Sequence, residues 1–303
     1  MSFTLRQLEY LVSLEQSLSF RRAAAACHVT QPGLSTQIQQ LERALGTPMF
    51  ERTRRSVAVT AAGQRVAVRA RHILAEVTAL EDEAKALGKP LSGTLRLGVI
   101  PTVAPYVLPK FVPALRRQHS SLRLLICEDH TDVLLQNLTE AKLDVLLLAL
   151  EADLHGAETR ALYDDPFVLA APQGHPMATG GAIRAHDLVG QELLLLEDGH
   201  CLRDQALDIC NMRGARETTD FRASSLNTLI RMVAAGTGIT LLPAMSLATE
   251  IRPRDKIVTR GFSKRGPSRT IGLAWRKSSP RVAEFDLLAD LLRDRAPVSA
   301  RSS

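Results

Sequence analysis

Beyond Thr94 the chain alternates short, continuously apolar runs with amphipathic stretches at helical spacing, and this alternation restricts the fold more than any other feature. Residues 145–150 are apolar at every position, so a strand there needs cover on both faces. Helices joining such strands supply that cover. The pattern predicts strands at 94–100, 122–127, 143–150, 167–171, 192–196, 239–242 and 269–276. Helices are expected at 106–119, 132–141, 226–235 and 283–294. The reading is an α/β domain with a parallel sheet. Residues 145–150 are also the longest aliphatic run, far short of the ~20 residues that span a bilayer. The N-terminus is amphipathic and charged, without an apolar signal core, so the expected location is cytoplasmic.

The first quarter reads differently. Residues 1–72 hold ten arginines, no lysine and four acids, whereas residues 73–303 hold 28 basic and 28 acidic residues. The whole formal excess of +6 therefore sits at the N-terminal end, as guanidinium. Arginine presents a planar fork that suits phosphate and guanine edges, which points to a nucleic-acid module. Leu5, Leu8, Leu11, Val12 and Leu14 give one helix, and Ser19 opens a second, alanine-rich one over 20–27. His28 and Val29 turn the chain, Thr30 caps a third helix with Pro32 in its first turn, and Gly46 ends it. Leu34, Ile38, Leu41 and Leu45 would face the core, leaving Gln31, Ser35, Thr36, Gln39 and Gln40 outward. That is a helix-turn-helix, and residues 50–60 form a two-stranded wing tipped by arginines. The residues expected on DNA are Arg6, Arg22, Thr30, Gln31, Pro32, Ser35, Thr36 and Gln39, with Arg52, Arg54 and Arg55 from the wing. Val66, Ala70, Ile73, Val77, Leu80, Ala84 and Leu87 follow at alternating steps of four and three. Such a coiled-coil stripe predicts a linker helix over 61–88; its position between two modules favours pairing with a second copy, and packing onto its own chain's domain is the alternative.

Four cysteines remain: Cys27, Cys127, Cys201 and Cys210. A cytosolic chain keeps its thiols reduced, so a disulfide here would be transient, and hence regulatory or catalytic. Cys27 and Cys127 read as small core residues, and the histidines show no zinc spacing, so no metal or cofactor is expected. Cys201 opens an amphipathic segment with Leu202, Ala206 and Ile209. If Asp198 caps that segment as a helix, Cys201 lies in its first turn, where unpaired N–H groups favour a thiolate; His200 or Arg269 would add to this. Taken alone, two cysteines nine residues apart in a cytosolic chain read as inert core packing.

The stretch from Phe20 through Cys27-His-Val-Thr-Gln-Pro-Gly-Leu-Ser-Thr-Gln-Ile38 to Phe50-Glu-Arg resembles the N-terminal signature of LysR-type transcriptional regulators. Ile100-Pro-Thr-Val-Ala-Pro-Tyr106, Leu196-Glu-Asp-Gly-His-Cys-Leu-Arg-Asp-Gln-Ala206 and Arg269-Thr-Ile-Gly-Leu273 are similar to the OxyR peroxide-sensing branch of that family. The resemblance implies a winged helix-turn-helix over 1–60, the linker helix, and a regulatory domain over 89–303. That domain would have two Rossmann-like subdomains, like a periplasmic binding protein, at about 93–166 with 269–303 and at about 167–268.

It further implies a non-enzymatic regulator of antioxidant genes that binds promoter DNA as dimers assembling to tetramers. RNA polymerase and a reductant such as glutaredoxin or thioredoxin would be partners. Hydrogen peroxide would oxidise Cys201 to a sulfenic acid, and Cys210 would resolve it as a disulfide. Thr102, Thr131, Gly199, His200 and Asp204 match positions that hold peroxide, and Arg269 joins them. A continuous helix separates residues nine apart by ~13 Å, whereas a disulfide needs Cα atoms within roughly 7 Å, so oxidation must refold residues 201–210. A LysR-type regulator that answers to a small metabolite is the alternative. A peroxidase is the reading from another class, and the DNA module argues against it.

Overall fold

The computed structural model describes residues 3–52, 57–85, 90–211, 216–263 and 266–294. Contacts divide the chain into two compact units, one of residues 1–89 with Thr139–Lys142 and one of the remainder.

In the N-terminal unit, Thr4 and Gln7 form a reciprocal cap on α1 (Leu5–Ser17). Ser19 caps α2 (Phe20–Ala26), and the Thr30 side chain accepts from the Gly33 amide at the start of α3 (Gln31–Leu45). Gly46, at φ 67°, ends α3 in the left-handed conformation expected of it. Strands β1 (Phe50–Arg52) and β2 (Val57–Val59) pair antiparallel, with Phe50 opposite Val59. Helix α4 spans Ala61–Lys85. Leu8, Leu11, Leu14, Leu34, Ile38 and Leu41 are buried together with Ala67 and Ala70. Leu45 was expected in this core but is exposed, because the chain turns out of the helix one residue later. The stripe on α4 divides: Ala70 is buried in this core and Val66 packs against it, while Ile73 and Leu80 are exposed. Val77 is half-buried. Residue 87, also assigned to the stripe, and Arg54 and Arg55 of the wing lie outside the described residues, as do the side chains of Ala84 and Arg52.

The second unit opens with β3 (Gly93–Val99), α5 (Ala104–Gln118), β4 (Leu122–Glu128), α6 (Thr131–Thr139) and β5 (Val145–Ala149). These strands pair in parallel, β3 lying between β4 and β5. Then come β6 (Glu158–Pro172), β7 (Glu192–Leu196), α7 (Cys201–Asn211), β8 (Arg216–Ala223), α8 (Leu226–Ala234), β9 (Thr240–Pro243) and α9 (Leu247–Glu250). The unit closes with β10 (Ile257–Gly261), β11 (Ser268–Trp275) and α10 (Val282–Arg293).

The sheet is mixed, not parallel throughout. β11 runs antiparallel to both β5 and β6, and β9 and β10 run antiparallel to β6. A strand buried on both faces is apolar whichever way it runs, so the pattern could not carry direction. β6 is also three times the predicted length. Its first part pairs with β11, and residues from Phe167 onward pair with β9 and β10. This long strand carries the chain from one half of the unit to the other. Polar β8, parallel to β7, and short β10 were not predicted. β4 departs from two-sided burial: it forms the sheet edge, and Leu125 and Ile126 are exposed.

Candidate functional site

On the N-terminal unit, Gln31, Pro32, Thr36 and Gln39 are exposed on α3, and Ser35 is half-buried beside them. Leu34, Ile38 and Leu41 hold the opposite face, so the polar side of the helix is presented outward as its periodicity requires. Gln7 reaches from α1 to Gln37 at 3.0 Å, fixing the first helix against the third. Two of the arginines expected on DNA are engaged within the chain. Arg6 donates to Glu9 at 2.9 Å and to the Cys27 carbonyl at 3.0 Å, and Arg22 donates to the Ser17 carbonyl. Thr30 spends its hydroxyl oxygen on the cap of α3.

The second group of residues gathers where strands end and helices begin. β3 and β4 are parallel neighbours, and their carboxyl ends carry Thr102 and Thr131 ahead of α5 and at the first position of α6. Open α/β sheets place ligands at such ends. β7 leads through Glu197–His200 into α7, whose first residue is Cys201. Asp198 does not cap this helix; its carboxylate pairs with Arg222 at 3.1 Å and Arg203 at 3.4 Å. Gly199 is at φ +96°, and a Cβ there would meet the His130 ring at 2.7 Å, so only glycine lets the loop pass His130.

Arg269 rises from β11 into this cluster and is fully buried. It donates to Asp165 at 3.0 Å, to the Thr102 hydroxyl at 2.9 Å and to the Thr102 carbonyl at 3.0 Å. Asp165 is fully buried as well and accepts a second bond from the Met245 amide at 3.0 Å. Burial pushes its carboxyl above the ordinary range, against the pull of Arg269.

Cys201 is a free thiol with part of its surface open. Burial around the sulfur pushes its pKa up; Arg269, the Thr131 hydroxyl and the Leu202 amide pull the other way. Thr131 Oγ1 is buried without another hydrogen-bond partner among the described residues, so it is free to donate to a thiolate. His200 is also buried, its pKa lowered by burial and by His130, so it brings no positive charge to the sulfur, contrary to one of the two options drawn from the sequence. Asp204 stands one turn along α7 with its side chain mostly in solvent, and raises the thiol slightly by its charge.

Thr131 and Arg269 are thus brought together at the Cys201 sulfur, with Thr102 held by Arg269 and with Gly199 and His200 on the approaching loop. The backbone of α7 runs unbroken from Cys201 to Asn211, so Cys210 lies in the same helix, about 13 Å along its axis. The Cys210 side chain is outside the described atoms. Sequence reasoning missed Asp165, Met245 and His130. An acid before a proline on an apolar strand carries no positional signal, and His130 meets His200, ring centres 4.4 Å apart, only through the fold.

The family described as bacterial regulatory helix-turn-helix protein, lysR family, matches residues 5–64, and the LysR substrate binding domain matches residues 88–297. The chain is 46% identical over 291 residues to the DNA-binding transcriptional dual regulator OxyR of Escherichia coli K12, covering 96% of this chain and 95% of that one. It is 40% identical to the hydrogen peroxide-inducible genes activator of Haemophilus influenzae, covering 96% of each. Among solved structures, a full-length OxyR variant from Pseudomonas aeruginosa superposes with a TM-score of 0.81 at 35% identity, covering 99% of this chain and 100% of that one. A hydrogen peroxide-bound OxyR variant from Corynebacterium glutamicum gives 0.69 at 34% identity, covering 98% and 94%. The helix-turn-helix with its wing, the two-part α/β unit and these likenesses agree: the chain belongs to the LysR family of bacterial regulators, in its OxyR branch.

Proposed function

We propose that this chain is a hydrogen peroxide-responsive transcription regulator whose switch is the Cys201–Cys210 pair. The Cys201 thiolate attacks one peroxide oxygen, the O–O bond breaks, and hydroxide leaves to take a proton; Cys201 becomes a sulfenic acid. The Cys210 thiolate then attacks that sulfur, a disulfide forms, and the sulfenic oxygen departs as water. Thr102, Thr131, Gly199, His200 and Asp204 are the residues proposed to hold the peroxide, with Arg269 stabilising the anions. The observation that carries this reading is α7 itself. It begins at Cys201 beside the Arg269 guanidinium and contains Cys210. Since the disulfide cannot span ~13 Å, making it must break the helix.

DNA binding is assigned to residues 1–60, through the outer face of α3 and the wing. Dimerisation is assigned to α4, whose exposed Ile73 and Leu80 are the part of the stripe that a second copy would cover. Dimers pairing to tetramers, contact with RNA polymerase, and reduction by a cytosolic dithiol such as glutaredoxin or thioredoxin complete the proposal. Among the described residues no helix is long and apolar enough to cross a membrane. Mass spectrometry of peptides containing Cys201 and Cys210, before and after one equivalent of peroxide, tests the switch. Loss of two hydrogens across the pair is expected. A Cys201 that stays a free thiol under these conditions would return the chain to the metabolite-responsive alternative.

A further inference from the structure

His130, Glu197 and His200 come from two separate loops, one leading into α6 and the other into α7, yet their ligand atoms all lie within 4.8 Å of one another. A zinc-type ion bound at ~2.0–2.1 Å holds tetrahedral ligands about 3.3 Å apart, so a small inward movement of half-buried side chains closes the set. Proximity of this kind is common without an ion. One further observation points to one. His200 is buried, and its Nε2 has no hydrogen-bond partner among the described residues. A buried, unsatisfied ring nitrogen is costly, and a metal is one of the few things that repays it. Gly199 completes the arrangement, since any side chain there would displace the His130 ring.

We propose that His130, Glu197 and His200 bind a divalent first-row transition ion of the zinc type, and that its occupancy holds the reduced form. Two imidazoles and one carboxylate are a borderline donor set with room for water or another ligand in the remaining position. The coupling follows from where the ligands sit. Glu197 and His200 directly precede α7, and His130 directly precedes α6. An ion across them ties the start of α7 to its neighbour, so any refolding that pulls His200 from His130 must first release the metal. The site stands on its own geometry; the coupling rests on the proposed disulfide switch.

Zinc is the probe. Full-length reduced protein carrying Cys201→Ser, titrated with Zn²⁺ by calorimetry, should bind one ion per chain without help from the reactive thiol. His130→Ala and Glu197→Gln alter half-buried positions, and circular dichroism confirms that each variant is folded. Each should weaken binding by at least about tenfold, the lower end of what even an outer-sphere partner costs. Undiminished zinc affinity in both would overturn the site. In the protein with both cysteines, zinc at a hundred times its dissociation constant should slow peroxide-driven disulfide formation by up to about a hundredfold. It should leave the rate of His130→Ala unchanged. Zinc that binds through these residues without changing the rate would overturn the coupling. Zinc bound by a chain that never forms the disulfide would uphold the site and count against the switch.

Discussion

If the disulfide melts α7, the redox potential must depend on helix stability at exposed positions between its two cysteines. Asp208 is such a position: it is exposed and lies inside the Cys201–Asn211 helix. Asp208→Ala and Asp208→Gly both remove the carboxylate, so charge cancels between them and only helix propensity differs. Glycine costs about 0.8–1.0 kcal/mol relative to alanine inside a helix. For a two-electron couple about 1.4 kcal/mol corresponds to 30 mV, so the two variants should differ by roughly 20 mV. The alanine variant stabilises the reduced form, so its disulfide should be the more easily reduced and its potential the higher. Equilibration in glutathione buffers, followed by mass spectrometry of the Cys201–Cys210 peptides, measures this directly. Equal potentials, or the reverse order, would refute a switch that works by unwinding α7.

Cys201→Ser should abolish the peroxide response, whereas Cys210→Ser should accumulate a dimedone-reactive sulfenic acid at Cys201 with a weak or short-lived response; labelling at Cys210 in the first variant would reverse the roles. Leu80→Asp, at an exposed apolar position on α4, should shift the protein toward monomer and abolish DNA binding while the regulatory unit melts normally; unchanged sedimentation and affinity would remove α4 from the dimer. Arg269→Met strips the counter-charge from buried Asp165 and should cost about 3–5 kcal/mol near neutral pH. Asp165 already has a raised carboxyl in the folded state, so the fold binds its proton more tightly than the unfolded chain does. Stability from that group is present below the unfolded pKa and lost as pH rises through the folded one. Urea unfolding of Arg269→Met should therefore show a smaller deficit at pH 5 than at pH 7.5; a larger one at pH 5 would contradict the assignment.

The helix-turn-helix was legible because each of its parts has a local cause. Ser19 and Thr30 cap, Gly46 stops, and Leu34, Ile38 and Leu41 repeat at helical spacing. Strand positions in the regulatory unit were legible for the same reason, from burial written into consecutive residues. Strand direction was not, since Val145–Ala149 reads the same beside a parallel or an antiparallel partner. Nor was β8, whose polar composition carries no strand period. Around the sulfur, Cys201, Gly199 and His200 announced themselves by their motif, and Arg269 by its own. Asp165 and His130 did not, because what makes them matter is a neighbour distant in sequence: Arg269 for the one, His200 for the other.

The Arg269–Asp165 pair has a role that stability alone does not explain. Two fully buried ions rarely stabilise a fold more than apolar residues of equal volume would, because their desolvation consumes the attraction. What the pair does accomplish is to hold a permanent positive charge where water is scarce. Asp165 neutralises the guanidinium on one side, and Thr102 anchors its two terminal nitrogens through hydroxyl and carbonyl. Cys201 needs such a charge, since the burial that shelters its sulfur also disfavours the thiolate. Arg269, not His200, supplies that charge at the sulfur. Replacing both partners together, Arg269→Met with Asp165→Leu, would therefore restore much of the stability that Arg269→Met alone loses. It would not restore the reaction with peroxide, and that separation of fold from reactivity is what distinguishes a counter-charge for the sulfur from a brace for the sheet.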